Sequence, residues 1–72
     1  MSMPDMELVE SSNILAIGYD EDNLELWVEF NDEATYIYDG VPAILHTEMM
    51  EASSKGSYLN RVIKGNYQYR RA

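Results

Sequence analysis

No cysteine occurs in the 72 residues. Disulfide staples, thiolate metal sites and cysteine nucleophiles are excluded together, so cohesion must come from packing or from self-association. Histidine is limited to His46, which a Ser-His-acid arrangement would have to include. Its place beside an apolar helical stripe is that of an ordinary boundary residue. No apolar run approaches the roughly 20 residues needed to span a bilayer. The opening MSMPDMELVE also lacks the positive start and apolar block of a signal peptide. A cytoplasmic protein without a membrane partner is expected.

Positive charge is scarce and confined. Lys55, Arg61, Lys64, Arg70 and Arg71 are the only basic residues, and all 13 acidic ones lie between Asp5 and Glu51. Residues 1–51 thus carry −13 and residues 52–72 carry +5, which sum to the net −8. A field of that sign repels polyanions, which disfavours long DNA and anionic membranes. It leaves room for a small anion, because charges are screened beyond roughly 8 Å at physiological salt.

A chain of this length forms one small domain that buries only about 60% of its unfolded surface. Residues 1–8, with Pro4 and scattered acids, read as a flexible tail running into a short MELV segment, and residues 9–72 as the single domain. In NILAIGYD, Leu15, Ile17 and Tyr19 alternate with Ile14, Ala16 and Gly18, a strand covered at least in part on both faces. LELWVEF sets Leu24, Leu26, Val28 and Phe30 against Glu25, Trp27 and Glu29, a half-buried strand. Beyond the turn at 31–33, Tyr36 and Tyr38 share a face opposite Thr35 and Ile37. Strands over 14–19, 24–30 and 34–38, joined by short turns, predict an antiparallel meander.

After Gly40 the period changes. Pro42 suits a first helical turn, and Val41, Leu45, Met49 and Ala52 form one stripe to lie on the sheet. Gly56 marks a break, and Ser57 reads as the N-cap of a second, short helix with Leu59, Val62 and Ile63 apolar behind it. Gly65 ends that helix, and NYQYRR alternates as a last edge strand. The fold class is α+β: a small antiparallel meander covered by one longer and one short helix, with a C-terminal edge strand.

The acids of DEDN at 20–23 fail a calcium-loop test, since the sixth and twelfth positions from Asp20 hold Glu25 and Asn31 instead of Gly and Glu. They read as a solvated turn. No metal and no cofactor are expected. SSKGS is more informative: Gly56 lets backbone approach a ligand, Ser57 opens a helix, and Lys55 adjoins both, which together make an anion cradle. It lacks the frame of a P-loop, and helix capping by Ser54, Gly56 and Ser57 is the competing account. Arg61, Lys64, Arg70 and Arg71 can add phosphate contacts, and Tyr58, Tyr67 and Tyr69 can stack on bases. The same tyrosines at alternating positions also fit ordinary strand packing.

SSNILAIGYD, LELWVEF, TYIYDGVP and ASSKGSYLNRVIKGNYQY together resemble the KTSC domain over about residues 9–70. The most specific parts are the Ser-Ser-Asn-Ile start, the Tyr-x-Tyr-x-x-Val-Pro junction and Ser-Lys-Gly followed by Asn60. That family occurs at the C-terminus of some lysyl-tRNA synthetases and as short bacterial and phage proteins. The resemblance implies nucleotide or nucleic-acid binding and carries over no catalytic residue. A Gly is common in the turn before the third strand, where this chain has Asn31-Asp32-Glu33.

Two functional readings stand side by side. In the first, a non-enzymatic module binds a phosphate-bearing nucleotide, small or cyclic, or a short RNA, near Lys55, Gly56, Ser57, Asn60 and Arg61; a phage-encoded copy could sequester such a nucleotide. In the second, the acidic face bearing Trp27 docks on a partner protein or on another copy, and a homo-oligomer forms.

Overall fold

The structure, a computed structural model, describes residues 3–72. Five strands form one sheet in chain order: β1 (Met6–Leu8), β2 (Ile14–Asp20), β3 (Glu25–Phe30), β4 (Thr35–Asp39) and β5 (Tyr69–Arg71). Every neighbouring pair is antiparallel. Between β4 and β5 the chain crosses one face of the sheet as α1 (Ala43–Glu51), α2 (Lys55–Tyr58) and a π-helical turn, Leu59–Ile63, that continues α2. The expected α+β architecture is the observed one.

Cross-strand register divides the sheet into two faces. Leu26 opposes Tyr38 and Val28 opposes Tyr36, and these point toward the helices. There Ile14, Ile17, Leu26, Val28 and Tyr38 pack with Val41, Met49, Tyr58, Leu59 and Ile63. Each fully buried Leu or Ile in such a cluster is worth about 1.5–3 kcal/mol of transfer free energy. Trp27 lies on the reverse face, in one cross-strand row with Gly18, Ile37 and Arg70.

Several local expectations are corrected. Between Ile14 and Ala16 the β2–β3 register shifts by one residue, a β-bulge. The extra residue is Leu15, 40% exposed, so Ile14 joins Ile17 and Tyr19 on the core side in place of Leu15. Strict alternation in the sequence could not show this. Leu24 is not in a strand; it sits in the β2–β3 turn at φ 55 with its carbonyl accepting the Val41 N–H at 2.9 Å. Pro42 is the N-cap of α1 and not part of its first turn, while Val41 and Met49 of the expected stripe are fully buried. Within the stretch read as a flexible tail, Met6–Leu8 pair with β2, and Pro4–Met6 run so close over Gly18 that a Cβ there would meet the Asp5 carbonyl at 2.9 Å. Met1 and Ser2 lie outside the described residues.

The turn that lacks the common Gly carries its cost visibly. Glu33 sits at φ 72, the left-handed region that glycine enters freely and other residues enter at a cost of about 1–2 kcal/mol. Glu33→Gly is therefore expected to raise stability by up to about 1 kcal/mol, after the greater unfolded-state entropy of glycine is subtracted. Chemical denaturation with an unchanged m-value checks it.

Candidate functional site

Two chain segments far apart in sequence meet at one end of the sheet. The loop entering β2 is folded by Ser11, whose hydroxyl accepts the N–H groups of Asn13 at 3.4 Å and Ile14 at 3.3 Å. The second segment is the start of α2. Ser54 is its N-cap, accepting the Ser57 N–H at 3.3 Å, which corrects the expectation that Ser57 caps this helix. Gly56 stands where the two segments touch: a Cβ at that position would lie 2.8 Å from Asn13 Oδ1. A glycine is needed there for the approach of a side chain, and the ligand-approach argument is unnecessary to explain it.

Between these segments lies a polar groove of about 440 Å³. Its lining includes Lys55, Gly56, Ser57, Asn60 and Arg61, so the structure gathers all the primary candidates in one place. Opposite them stand Glu10, Ser11, Ser12 and Asn13, which carry no cation and open no helix and so are not among the residues expected at the site. Their signal was present in the Ser-Ser-Asn-Ile motif, whose hydroxyl and amide groups are hydrogen-bonding equipment without charge.

The two cations of the groove are held differently. Lys55 Nζ donates to the Ala52 carbonyl at 3.1 Å, closing the end of α1, and keeps two further protons for a ligand. Arg61 is exposed, with Nε 3.4 Å from Ser57 Oγ and its guanidinium 6.0 Å from the centre of the Tyr58 ring. The π turn accommodates this: Leu59 and Ile63 stay in the core while Asn60 and Arg61 face outward. Glu10 across the groove leaves it with a net charge near +1 on a strongly acidic protein.

The secondary candidates fall elsewhere. Tyr58 is 7% exposed and donates its hydroxyl to Glu48 Oε1 at 2.8 Å, which removes it as a stacking surface. Burial first, and then the Glu48 carboxylate, push its hydroxyl up to about 12. Tyr69, 63% exposed, leans on Tyr36 and Tyr38 from β5, and with the half-buried Tyr67 borders a separate depression. Arg70 points to the reverse face of the sheet, where it ion-pairs with Asp39 and, at 2.8 Å, with Glu25. His46 stacks on Tyr19, ring centres 4.9 Å apart, and burial lowers its pKa. Asp20, expected in a solvated turn, accepts from Asn23, which lowers its pKa.

Around Trp27 the reverse face is organised by a carboxylate. Glu25, itself 7% exposed, accepts the Trp27 indole N–H at 3.1 Å and the Arg70 guanidinium. Arg70→Ala would leave this buried carboxylate with the indole alone, and an uncompensated buried charge is destabilising. The variant is expected to melt at a lower temperature than the parent and to show altered Trp27 emission.

A five-stranded antiparallel sheet with helices on one face and a polar groove at its end defines a small α+β domain. The chain belongs to the KTSC domain family, whose model matches residues 10–67. The crystal structure of a KTSC domain protein from Yersinia pestis superposes with a TM-score of 0.91 at 44% identity, covering 94% of this chain and 96% of that one. A protein of Stutzerimonas stutzeri is 38% identical over 62 residues, which are 85% of this chain and 87% of that protein. A lysine–tRNA ligase of Nostoc sp. is 37% identical over 60 residues, 83% of this chain but only 11% of the ligase.

Proposed function

We propose that this domain binds rather than catalyses, and that its ligand is a phosphate-bearing nucleotide or a short RNA held in the groove by Lys55 and Arg61. The observation that carries this reading is the convergence of two remote polar segments, residues 10–13 and 53–61, on one groove whose cations are Lys55 and Arg61. Phosphate oxygens accept charge-assisted hydrogen bonds from such groups, while Ser57, Asn60 and the Ser11–Asn13 loop offer neutral ones. Relatives that include a segment of a lysine–tRNA ligase are in keeping with a nucleotide or RNA ligand. The net charge of −8 favours a small ligand over a long polyanion. Titration calorimetry of the unmutated protein against mononucleotides, cyclic oligonucleotides and short RNAs tests the reading, and no heat of binding with any of them removes it.

A second reading rests on the reverse face of the sheet. Met6 and Leu8 on β1, the latter 74% exposed, share that face with the half-buried Trp27, and the helices lie on the other side. A second copy docking there would bury apolar surface that a small core cannot reach. Sedimentation at micromolar concentration should then show more than one chain, and a strict monomer ends this reading.

A further inference from the structure

The groove has a neighbour. A second cavity of about 450 Å³ shares Ser12 and Asn13 with it as a common wall and extends to Phe30, Asp32, Tyr36 and Lys64. The wall is fixed from behind: Asn31 donates its side-chain amide to the Ser12 carbonyl at 3.0 Å and its backbone N–H to the Asn13 carbonyl at 2.9 Å. Two lobes of this size, each within the range of small-molecule sites, therefore lie on either side of a braced ridge.

Their chemistry differs in the way the two ends of a nucleotide differ. The first lobe is polar and holds Lys55 and Arg61. The second presents the aromatic rings of Phe30 and Tyr36, packed edge to face with centres 5.7 Å apart and each only partly buried. Beside them stands the Asp32 carboxylate, exposed, with Oδ1 accepting the Ala34 N–H at 3.1 Å. Lys64 borders the same lobe and offsets that charge, so the second lobe carries no net charge while the first keeps about +1, and the Asp32 carboxylate remains an acceptor for the amino and ring N–H groups of a base. Tyr58, Tyr67 and Tyr69 do not line either of these lobes, so the aromatic surface within reach of the groove is Phe30 and Tyr36.

We infer that the second lobe is the nucleobase subsite of the same ligand: phosphate lies with Lys55 and Arg61, the sugar crosses the Ser12–Asn13 ridge, and an amino-bearing base rests against Phe30 and Tyr36 with its N–H edge toward Asp32. This rests on the phosphate reading of the first groove. It extends that reading from an anion site to a nucleotide site with a fixed direction.

The test compares AMP and GMP with ribose 5-phosphate and pyrophosphate, using the whole chain. The nucleotides are expected to bind at least about tenfold more tightly than ribose 5-phosphate, the size of effect that base–aromatic contact provides. Phe30→Leu should erase that advantage while leaving pyrophosphate binding as it was. Because Phe30 packs against the core, two further measurements stand beside it. Asp32→Asn keeps the acceptor for the Ala34 N–H and should lower nucleotide affinity alone. In the unmutated protein, amide resonances of Phe30, Asp32 and Tyr36 should shift with AMP or GMP and not with pyrophosphate. Equal binding of nucleotides and ribose 5-phosphate overturns the base subsite and leaves the phosphate groove standing. Binding of none of the four probes overturns the base subsite, and if cyclic oligonucleotides and short RNAs are silent as well the phosphate groove falls with it.

Discussion

Replacing Arg61 by alanine is expected to weaken nucleotide binding by about 1.5 to 3 kcal/mol, the range for a hydrogen bond to a charged group. Lys55→Ala should fall at the lower end of that range. The difference has a structural cause: the Lys55 ammonium already gives one proton to the Ala52 carbonyl, whereas Arg61 is held through Nε to Ser57 Oγ at a long 3.4 Å and by its place over the Tyr58 ring, which uses none of its other N–H groups. The double variant should lose more than either single one without strict additivity, because both cations border one groove. Stability should change little, since both side chains lie outside the core cluster. A competing account, in which these cations only offset the acidic half of the molecule, demands the reverse: altered melting and flat titrations. Calorimetric titration of the three variants, paired with thermal melts, separates the two.

The second large effect is expected at alkaline pH and comes from Tyr58. Its hydroxyl titrates at 10.0 when free and is pushed up to about 12 in the fold by burial and by the hydrogen bond to Glu48. The folded state therefore disfavours the ionised form. The associated stability is complete below pH 10 and is lost as the pH rises from 10 through 12, because there the unfolded chain releases the proton first. Two units set an upper bound of roughly 2–3 kcal/mol, reduced by screening from water at the part-exposed hydroxyl and its Glu48 partner. Tyr58→Phe cannot ionise and should flatten this part of the pH profile. At neutral pH the variant should be slightly less stable, by about 1 kcal/mol for the lost hydrogen bond. Toward pH 12 that order should reverse. Tyr19 and Tyr38, also raised by burial, will retain part of the alkaline slope in both proteins. Denaturation at a series of pH values between 8 and 12 reads the crossing directly.

Both effects arise from the same short segment of chain, and its charge has more than one use. Lys55 and Arg61 border the groove, Lys64 borders the neighbouring lobe, and Arg70 serves the Glu25 carboxylate on the far side of the sheet. The collection of cations near the C-terminus is thus divided in space between a candidate ligand site and a structural ion pair. A reading that treats the five as one patch overestimates the positive field at the groove.

The sequence by itself determined the three meander strands, the helices after them and the last edge strand, though neither β1 nor the π turn, because strand and helix periodicities are written in neighbours a few residues apart. Leu26, Val28, Tyr36 and Tyr38 alternate, Val41, Leu45 and Met49 recur every fourth residue, and the meander and its covering helix follow. It also marked the groove residues of the second segment, since a glycine, a serine and two cations around a helix start are a local pattern. What only the tertiary structure decided depends on register and on meetings between distant segments. One bulge residue moved Leu15 to the surface and Ile14 into the core. The Glu25–Arg70 pair joins positions 45 apart in the chain, and no periodicity reports such a contact. The approach of Asn13 to Gly56 likewise turned two separate motifs into the walls of one groove. Local patterns specify which face of an element is apolar, but polar groups gain partners only when that apolar packing has set the distances between them.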